Sequence, residues 1–137
     1  MASENPPIRV LVVDDHDVVR GLLCRLLQAE PDFNVIGEAV NGAEALLKAQ
    51  RLQPDVILLD INLPDMDGLA MAEKVKAVAP AAGILVVSDY NEGKIEQLFS
   101  GSVGGYLLKS DSATELVTAV RTVYKKERYL SVKLRRK

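Results

Sequence analysis

Three aspartates follow short apolar runs of the sequence, at the point where each run ends. Asp14 and Asp15 come directly after Ile8–Val13, and Asp60 comes directly after Val56–Leu59. Taken singly, an aspartate at such a position is more often a turn former or a helix cap. Taken together, clustered carboxylates repel one another unless a cation or a proton neutralises them. The set therefore predicts a site for a hard divalent cation, and Mg²⁺ suits a few carboxylates supplemented by water and phosphate.

A hydroxyl and an ammonium group occupy equivalent positions after two further apolar runs. Ser88 follows Ile84–Val87, and Lys109 follows Tyr106–Leu108. A hydroxyl can donate to a phosphoryl oxygen, and a lysine acts as a point charge toward phosphate. Alone, each residue is more simply explained as a solvated surface side chain. Their shared position with the aspartates favours a site that handles phosphate.

The apolar runs have the length and composition of strands buried on both faces, because they are short and rich in leucine and β-branched residues. Phe33, Val35 and Ala39 fall on alternate positions with Asn34, Glu38 and Val40 between them, so this segment should be half-exposed, as at a sheet edge. Helical periodicity predicts helices between the strands, at 17–29, around 43–50, and at about 67–79, 92–100 and 112–127. Ser112 with Glu115 has the spacing of a capping box, and Asn41 with Glu44 resembles one.

This alternation of strand and helix predicts an α/β fold, with a doubly wound five-stranded parallel sheet and helices on both faces. Ligands of such sheets bind beyond the carboxyl ends of the strands, where the strand order reverses. In the flavodoxin-like order 2-1-3-4-5 the reversal lies between strands one and three, so the three aspartates should converge on one crevice. We expect a single domain at 8–127, an N-terminal tail at 1–7 and a basic tail or linker start at 128–137.

The joint pattern resembles the response regulator receiver family over about residues 8–127. It is carried by Asp14-Asp15, by Asp60 with Pro64 and Gly68 after it, by Ser88, and by the run Gly105-Tyr106-Leu107-Leu108-Lys109. The resemblance implies a stoichiometric phosphoacceptor rather than an enzyme. Its donor would be a sensor histidine kinase or a phosphotransfer protein, and weak homodimerisation is compatible with the same resemblance.

The same resemblance assigns roles to individual residues. Asp60 would accept the phosphoryl group, and Asp14, Asp15, Asp60 and the backbone carbonyl of Asn62 would hold Mg²⁺. Lys109 would pair with the phosphate, Ser88 would move to bond it, and Tyr106 would swing inward as Ser88 shifts. The changed surface, formed by the helix at about 92–100 and the strand after it, would control an output such as transcription.

The chain departs from the family pattern at two places. Ser110 follows Lys109 where many relatives have proline, and a cis bond before a non-proline residue costs roughly 3 kcal/mol, so the loop presenting Lys109 should differ. Ser102-Val103 replaces the usual Gly-Ala before the tyrosine strand. The run Arg128–Ser131 is similar to regulators that carry a C-terminal DNA-binding helix-turn-helix domain. Whether such a domain was removed or never present is left open.

Composition supports one globular domain, with 48% apolar and 26% charged residues in a chain of 137. Residues 1–7 lack the layout of a signal peptide and no run is long enough to cross a bilayer, so we expect a cytoplasmic protein away from membranes.

Residues 125–137 carry a net charge of +6 against −8 for the rest. Because the body is acidic, we expect no direct binding of nucleic acid. Cys24 should be a small buried thiol.

Other functions remain as alternatives. A phosphatase of the haloacid-dehalogenase type would need a second aspartate two positions after Asp60, where the chain has Asn62. A flavodoxin-like cofactor binder, or a pseudo-receiver acting only by contact, would leave the acids unused. No phosphate-binding glycine loop follows the first strand. His16 invites a metal-ligand interpretation, but a lone histidine at a helix start is more often solvated, and we leave it out of the predicted site.

Glycines crowd the segment from Asn91 to Gly105, and few apolar residues remain there to anchor a helix. An interior glycine weakens a helix by up to about 1 kcal/mol. We therefore expect this helix to be the least stable of the five and the natural output surface.

Overall fold

The structure is a computed structural model that describes residues 6–89 and 102–135. The described elements are β1 Ile8–Val13, α1 Asp17–Gln28, β2 Phe33–Ala39, α2 Gly42–Leu52, β3 Val56–Asp60, β4 Asn62–Leu63, β5 Met66–Asp67, α3 Gly68–Val78, β6 Gly83–Ser88, β7 Gly105–Leu108, α4 Ser112–Tyr124 and β8 Tyr129–Leu130. Single 3₁₀ turns cover Lys109–Asp111 and Val132–Leu134. The helix expected at about 92–100, and with it the expectation of its low stability, lies outside the described residues.

A parallel sheet in the order β2-β1-β3-β6-β7-β8 forms the centre of the molecule. The predicted α/β class and the predicted order of the first five of these strands are confirmed. The expected number of strands was wrong, because Tyr129–Leu130, expected to belong to a basic tail or the start of a linker, pairs with Gly105 and Tyr106 of β7. The sheet therefore has six strands, and its last strand comes from the C-terminal segment.

Alternate residues of each strand enter two separate cores. Leu11 and Val13 of β1 lie in the core that α2 and α3 cover, whereas Val10 and Val12 lie in the core with α1 and α4. A strand that is apolar at nearly every position, as β1 is apart from Arg9, is typical of burial on both faces. This arrangement confirms helices on both faces, and it leaves the strand ends as the place where polar groups can gather.

The two predicted helix starts differ in outcome. Asn41 caps α2, since its side-chain oxygen accepts from the Glu44 amide at 2.8 Å, while the Glu44 carboxylate accepts from the Val40 amide at 3.0 Å. The predicted capping box at Ser112 was wrong. Ser112 is the first residue inside α4, and the carboxylate of Glu115 instead accepts from the amide of Val132 at 3.1 Å. The 3₁₀ turn that precedes α4 brings the chain into the helix without a side-chain cap.

Three smaller expectations concern local chemistry. Cys24 is buried, and burial raises the pKa of its thiol to about 11, as expected for an unreactive packing residue. Among the described residues, no peptide bond is cis, so the bond between Lys109 and Ser110 is trans. No helix in the described part of the chain is long and apolar enough to cross a bilayer.

Candidate functional site

The register of the central strands brings the predicted site residues to one end of the sheet. Val13 of β1 lies opposite Leu59 of β3, so the residues that follow them, Asp14 and Asp60, become neighbours. Asp60 lies opposite Val87 of β6, so Ser88 comes next to it. Ser88 in turn lies opposite Leu108 of β7, and Lys109 follows. A polar residue at the end of each strand thus enters the same crevice, as expected where parallel strands end together.

Asp14 and Asp60 are almost completely buried, with about 1% of each residue exposed, whereas Asp15 is half-buried. The carboxylates of all three, together with His16, have ligand atoms that lie within 4.8 Å of one another. Oδ2 of Asp14 and Oδ1 of Asp15 are buried oxygens without a hydrogen-bond partner among the described residues. Buried, unsatisfied carboxylate oxygens that converge on one point are suitable ligands for a hard cation. The residues present therefore fit Mg²⁺.

Lys109 is the counter-ion of the two buried aspartates. Its ammonium nitrogen lies 3.4 Å from Asp60 Oδ2, 3.5 Å from Asp14 Oδ2 and 4.0 Å from Asp89 Oδ1. Burial lowers the pKa of Lys109, but the nearby carboxylates of Asp60, Asp14 and Asp89 outweigh this effect and the pKa is raised. The ammonium consequently stays charged, and it faces the point at which an anionic group would meet Asp60.

Asp60 has a raised pKa, chiefly because burial penalises its charged form, and also because the charge of Asp14 is close. The Asn62 amide, which donates to Asp60 Oδ1 at 3.0 Å, and the ammonium of Lys109 oppose this rise. Asn62 begins the short antiparallel ribbon of β4 and β5, and this ribbon presents its amide to Asp60. The predicted metal contact from the Asn62 carbonyl stays a prediction.

Ser88 ends β6 next to Asp60, and Tyr106 lies on the neighbouring strand β7. Ser88 is 4% exposed and Tyr106 is 2% exposed. Burial raises the pKa of the Tyr106 hydroxyl, and a hydrogen bond with the Ser88 side chain opposes that rise. The tyrosine is also part of the core that α2 and α3 cover. The structure thus brings the two predicted switch residues into contact, while their movement stays a prediction.

Two residues outside the predicted site, His16, which was weighed and left out, and Asp89, which was not considered, lie beside the predicted site residues. The Nδ1 atom of His16 lies 3.2 Å from Asp14 Oδ1, 3.2 Å from Asp15 Oδ1 and 3.8 Å from Asp60 Oδ2. The imidazole, about 58% exposed, therefore covers the acidic cluster from the solvent side. Asp89, four ångströms from Lys109, adds a carboxylate at the rim. Direct adjacency to a predicted site residue was the signal for both, since His16 follows Asp15 and Asp89 follows Ser88. His16 was left out because a histidine at a helix start is commonly solvated.

Comparison with known proteins gives a consistent result. A family model described as the response regulator receiver domain matches residues 10–121. The response regulator protein VraR of Staphylococcus saprophyticus is 37% identical over 122 residues, which are 88% of this chain and 58% of that protein. The response regulator GacA of Pseudomonas protegens is 38% identical over 125 residues, 90% of this chain and 59% of that protein. The chain thus spans less than two thirds of the length of these relatives.

Solved structures resemble the chain over nearly its whole described length. The signal receiver domain of the putative response regulator NarL from Mycobacterium tuberculosis has a TM-score of 0.82 and 37% identity, covering 88% of this chain and 98% of that one. A two-component response regulator of the LuxR family from Aurantimonas has a TM-score of 0.86 and 29% identity, covering 93% and 92%.

Proposed function

The chain belongs to the response regulator receiver family, and from this premise we propose that it is a signalling switch whose phosphoryl group is carried by Asp60. The observation that supports the proposal is the position of Asp60, buried beside Asp14 with the ammonium of Lys109 3.4 Å away. Phosphoryl transfer depends mainly on placement and on neutralisation of charge, and this arrangement supplies both.

In the proposed reaction, a carboxylate oxygen of Asp60 attacks the phosphorus of a phosphohistidine. The bond between phosphorus and the histidine nitrogen breaks, an acyl phosphate forms on Asp60, and the released nitrogen of the donor takes up a proton. The amide of Asn62 orients the carboxylate through Oδ1, and Lys109 holds positive charge toward the incoming oxygens. Mg²⁺, held by Asp14, Asp15, Asp60 and the Asn62 carbonyl, would supply neutralisation of the phosphoryl charge.

The chain acts as a stoichiometric acceptor in this proposal, because each protein takes one phosphoryl group and keeps it until hydrolysis. The donor would be a sensor histidine kinase or a phosphotransfer protein in the cytoplasm. Ser88, whose side chain already forms a hydrogen bond with that of Tyr106, would move to bond the phosphoryl group on Asp60. This movement would change the neighbouring surface and so control an output, which we propose is transcription. The acidic body of the chain argues against nucleic-acid contact by these residues themselves.

The test is to incubate the protein with acetyl phosphate and Mg²⁺, and to locate the added phosphoryl group by mass spectrometry. We expect one group per chain, on Asp60, and none when EDTA removes the metal. Asp60→Asn should take up no phosphate, whereas the control Asp17→Asn, at an 85% exposed side chain, should behave as the parent. Uptake by Asp60→Asn equal to that of the parent would contradict the proposal.

A further inference from the structure

The C-terminal segment from Tyr129 to Arg135, which we call the C-terminal strap, lies along the strand that leads into Lys109. Its strand β8 pairs with Gly105 and Tyr106 of β7, and the Tyr129 amide donates to the Gly104 carbonyl at 3.1 Å. Strand β7 is therefore bonded on both sides, to β6 and to the strap. Any displacement of the strap removes one of the two neighbours that fix the backbone before Lys109.

Ser131 makes the strap contact closest to the site. It is fully buried, and its amide donates to the Tyr106 carbonyl at 3.0 Å. Its hydroxyl oxygen accepts from the Leu108 amide at 2.8 Å, although a backbone carbonyl would be the usual acceptor in a parallel ladder. Leu108 immediately precedes Lys109. The direction in which the chain enters the lysine is thus set by a side chain 23 residues further on.

A second strap contact lies at the other end of the 3₁₀ turn Lys109–Asp111. The ammonium of Lys133 is 3.3 Å from Asp111 Oδ1, and only 7% of the Asp111 side chain is exposed. The other Asp111 oxygen is buried and has no hydrogen-bond partner among the described residues. The positive charge of Lys133 is therefore important for stabilising the buried Asp111 carboxylate. The turn that carries Lys109 is therefore held by the strap at both of its ends.

Helix α4 fixes the strap at a distance from the aspartates. The carboxylate of Glu115 accepts from the Val132 amide at 3.1 Å and from the Tyr129 hydroxyl. The guanidinium of Arg135 lies over the Tyr129 ring, 5.1 Å from its centre. The two Glu115 contacts hold the strap without touching Lys109, and the Arg135–Tyr129 contact lies within the strap itself. The strap is thus an element in its own right that docks onto β7.

We propose that Ser131 is a positioning residue for Lys109, and that docking of the strap and binding of a phosphoryl group at Asp60 stabilise each other. This inference rests on the proposed function. Lys109 reaches Asp60 and Asp14 from the turn that the strap holds, so loosening the turn moves the ammonium away from the phosphoryl oxygens. Because linkage is reciprocal, a phosphoryl group that binds Lys109 must favour the docked strap by the same factor.

A purely structural role is the alternative, in which the strap only covers the edge of β7 as sheet edges commonly need. That role predicts that weakening the strap lowers the free energy of unfolding and leaves the affinity of the folded protein for a phosphoryl analogue unchanged. Positioning predicts a change in that affinity. Measuring both quantities on the same variants separates the two roles.

The first experiment uses beryllium trifluoride with Mg²⁺ as the phosphoryl analogue and measures its dissociation constant. Loss of the Ser131 hydroxyl leaves a buried amide unsatisfied, so Ser131→Ala should weaken binding by roughly threefold to tenfold. Lys133→Met should weaken it in the same direction, and it serves as the second variant if Ser131→Ala does not fold. The control Val132→Ala, at a 54% exposed residue of the same strap, should bind as the parent does.

The second experiment measures hydrogen exchange of the Tyr129 and Ser131 amides with and without the analogue. We expect slower exchange in its presence, and a smaller effect in Lys133→Met. Exchange that is unchanged or faster, or unchanged affinity in Ser131→Ala and Lys133→Met, would overturn the inference while leaving the proposed function standing. Failure of the parent protein to bind the analogue at all would overturn both.

Discussion

The ammonium of Lys109 lies 3.4 Å from Oδ2 of Asp60, and both side chains are nearly removed from solvent. An ion pair in such surroundings is more strongly coupled than one at the surface, because little water screens it. Asp60 ends β3 and Lys109 directly follows β7, and these two strands are not adjacent, since β6 lies between them. The pair therefore bridges the crevice in which the phosphoryl group would sit.

Replacement of the Lys109 ammonium should strongly slow the phosphorylation of Asp60. We expect Lys109→Met to lower the rate of labelling by acetyl phosphate by about 10²-fold or more, as loss of one transition-state charge contact commonly does. The control Lys74→Met, at an exposed residue of α3, should label normally. Intact-protein mass spectrometry at several times gives both rates. Equal rates for Lys109→Met and the parent would exclude the lysine from the reaction.

The raised pKa of Asp60 predicts an unusual pH dependence of stability. The folded protein binds this proton more tightly than the unfolded chain, in which an aspartate has a pKa of about 3.9. The stability that protonation provides is fully present below that value, and it is lost as the pH rises through the higher folded pKa. In metal-free buffer at pH 7, Asp60→Asn should thus resist urea better than the parent, with a difference that shrinks as the pH falls toward 4. A pH-independent difference, or a less stable variant, would contradict this.

Mg²⁺ should stabilise the folded protein by binding the carboxylate cluster. A ligand present at about tenfold its dissociation constant adds roughly 1.4 kcal/mol to the free energy of unfolding, which thermal melting detects. Asp15→Asn removes one of the unsatisfied oxygens, so it should shrink the upward shift of Tm. Asp17→Asn serves as the control at an exposed residue. If millimolar Mg²⁺ does not change the Tm of the parent protein, the aspartates do not form a cation site.

His16 should make the cluster favour metals that accept nitrogen ligands. Its Nδ1 atom is within 3.2 Å of two carboxylate oxygens, and imidazole suits Ni²⁺ and Co²⁺, whereas Mg²⁺ prefers oxygen. We expect His16→Asn to weaken Ni²⁺ binding by about tenfold or more, since one ligand to the metal is lost, and to leave Mg²⁺ binding nearly unchanged. Calorimetric titration with both ions measures the contrast. An equal effect on the two ions would mean that the imidazole is not a ligand.

The sequence predicted those features that depend on local pattern. The strand Ile8–Val13 has the predicted bounds because all of its residues except Arg9 are apolar and Asp14 ends the run. The gathering of Asp14, Asp60 and Lys109 followed from the strand order, since parallel strands present their carboxyl ends together. The cap at Asn41 also followed from spacing, and its hydrogen bonds are present.

Features that depend on tertiary contacts were not predicted by the sequence pattern. Tyr129–Leu130 is only two residues long and stands among basic residues, so its strand exists through pairing with β7 rather than through periodicity. Glu115 has the spacing of a capping residue, but it bonds the strap instead. His16 turns toward the aspartates rather than to solvent alone. In each case a partner distant along the chain decides the conformation, and propensity does not encode that partner.

The parallel sheet also has a consequence for the folding of newly synthesised chains. Asp60 and Lys109 are 49 residues apart, and no pair of neighbouring strands in this sheet can form from a short local hairpin. Such long-range pairings form late in folding, after much of the chain entropy has been lost. A nascent or misfolded chain therefore lacks the assembled crevice. Under the proposed function such a chain would not accept a phosphoryl group, and the modification would mark only molecules that have completed folding.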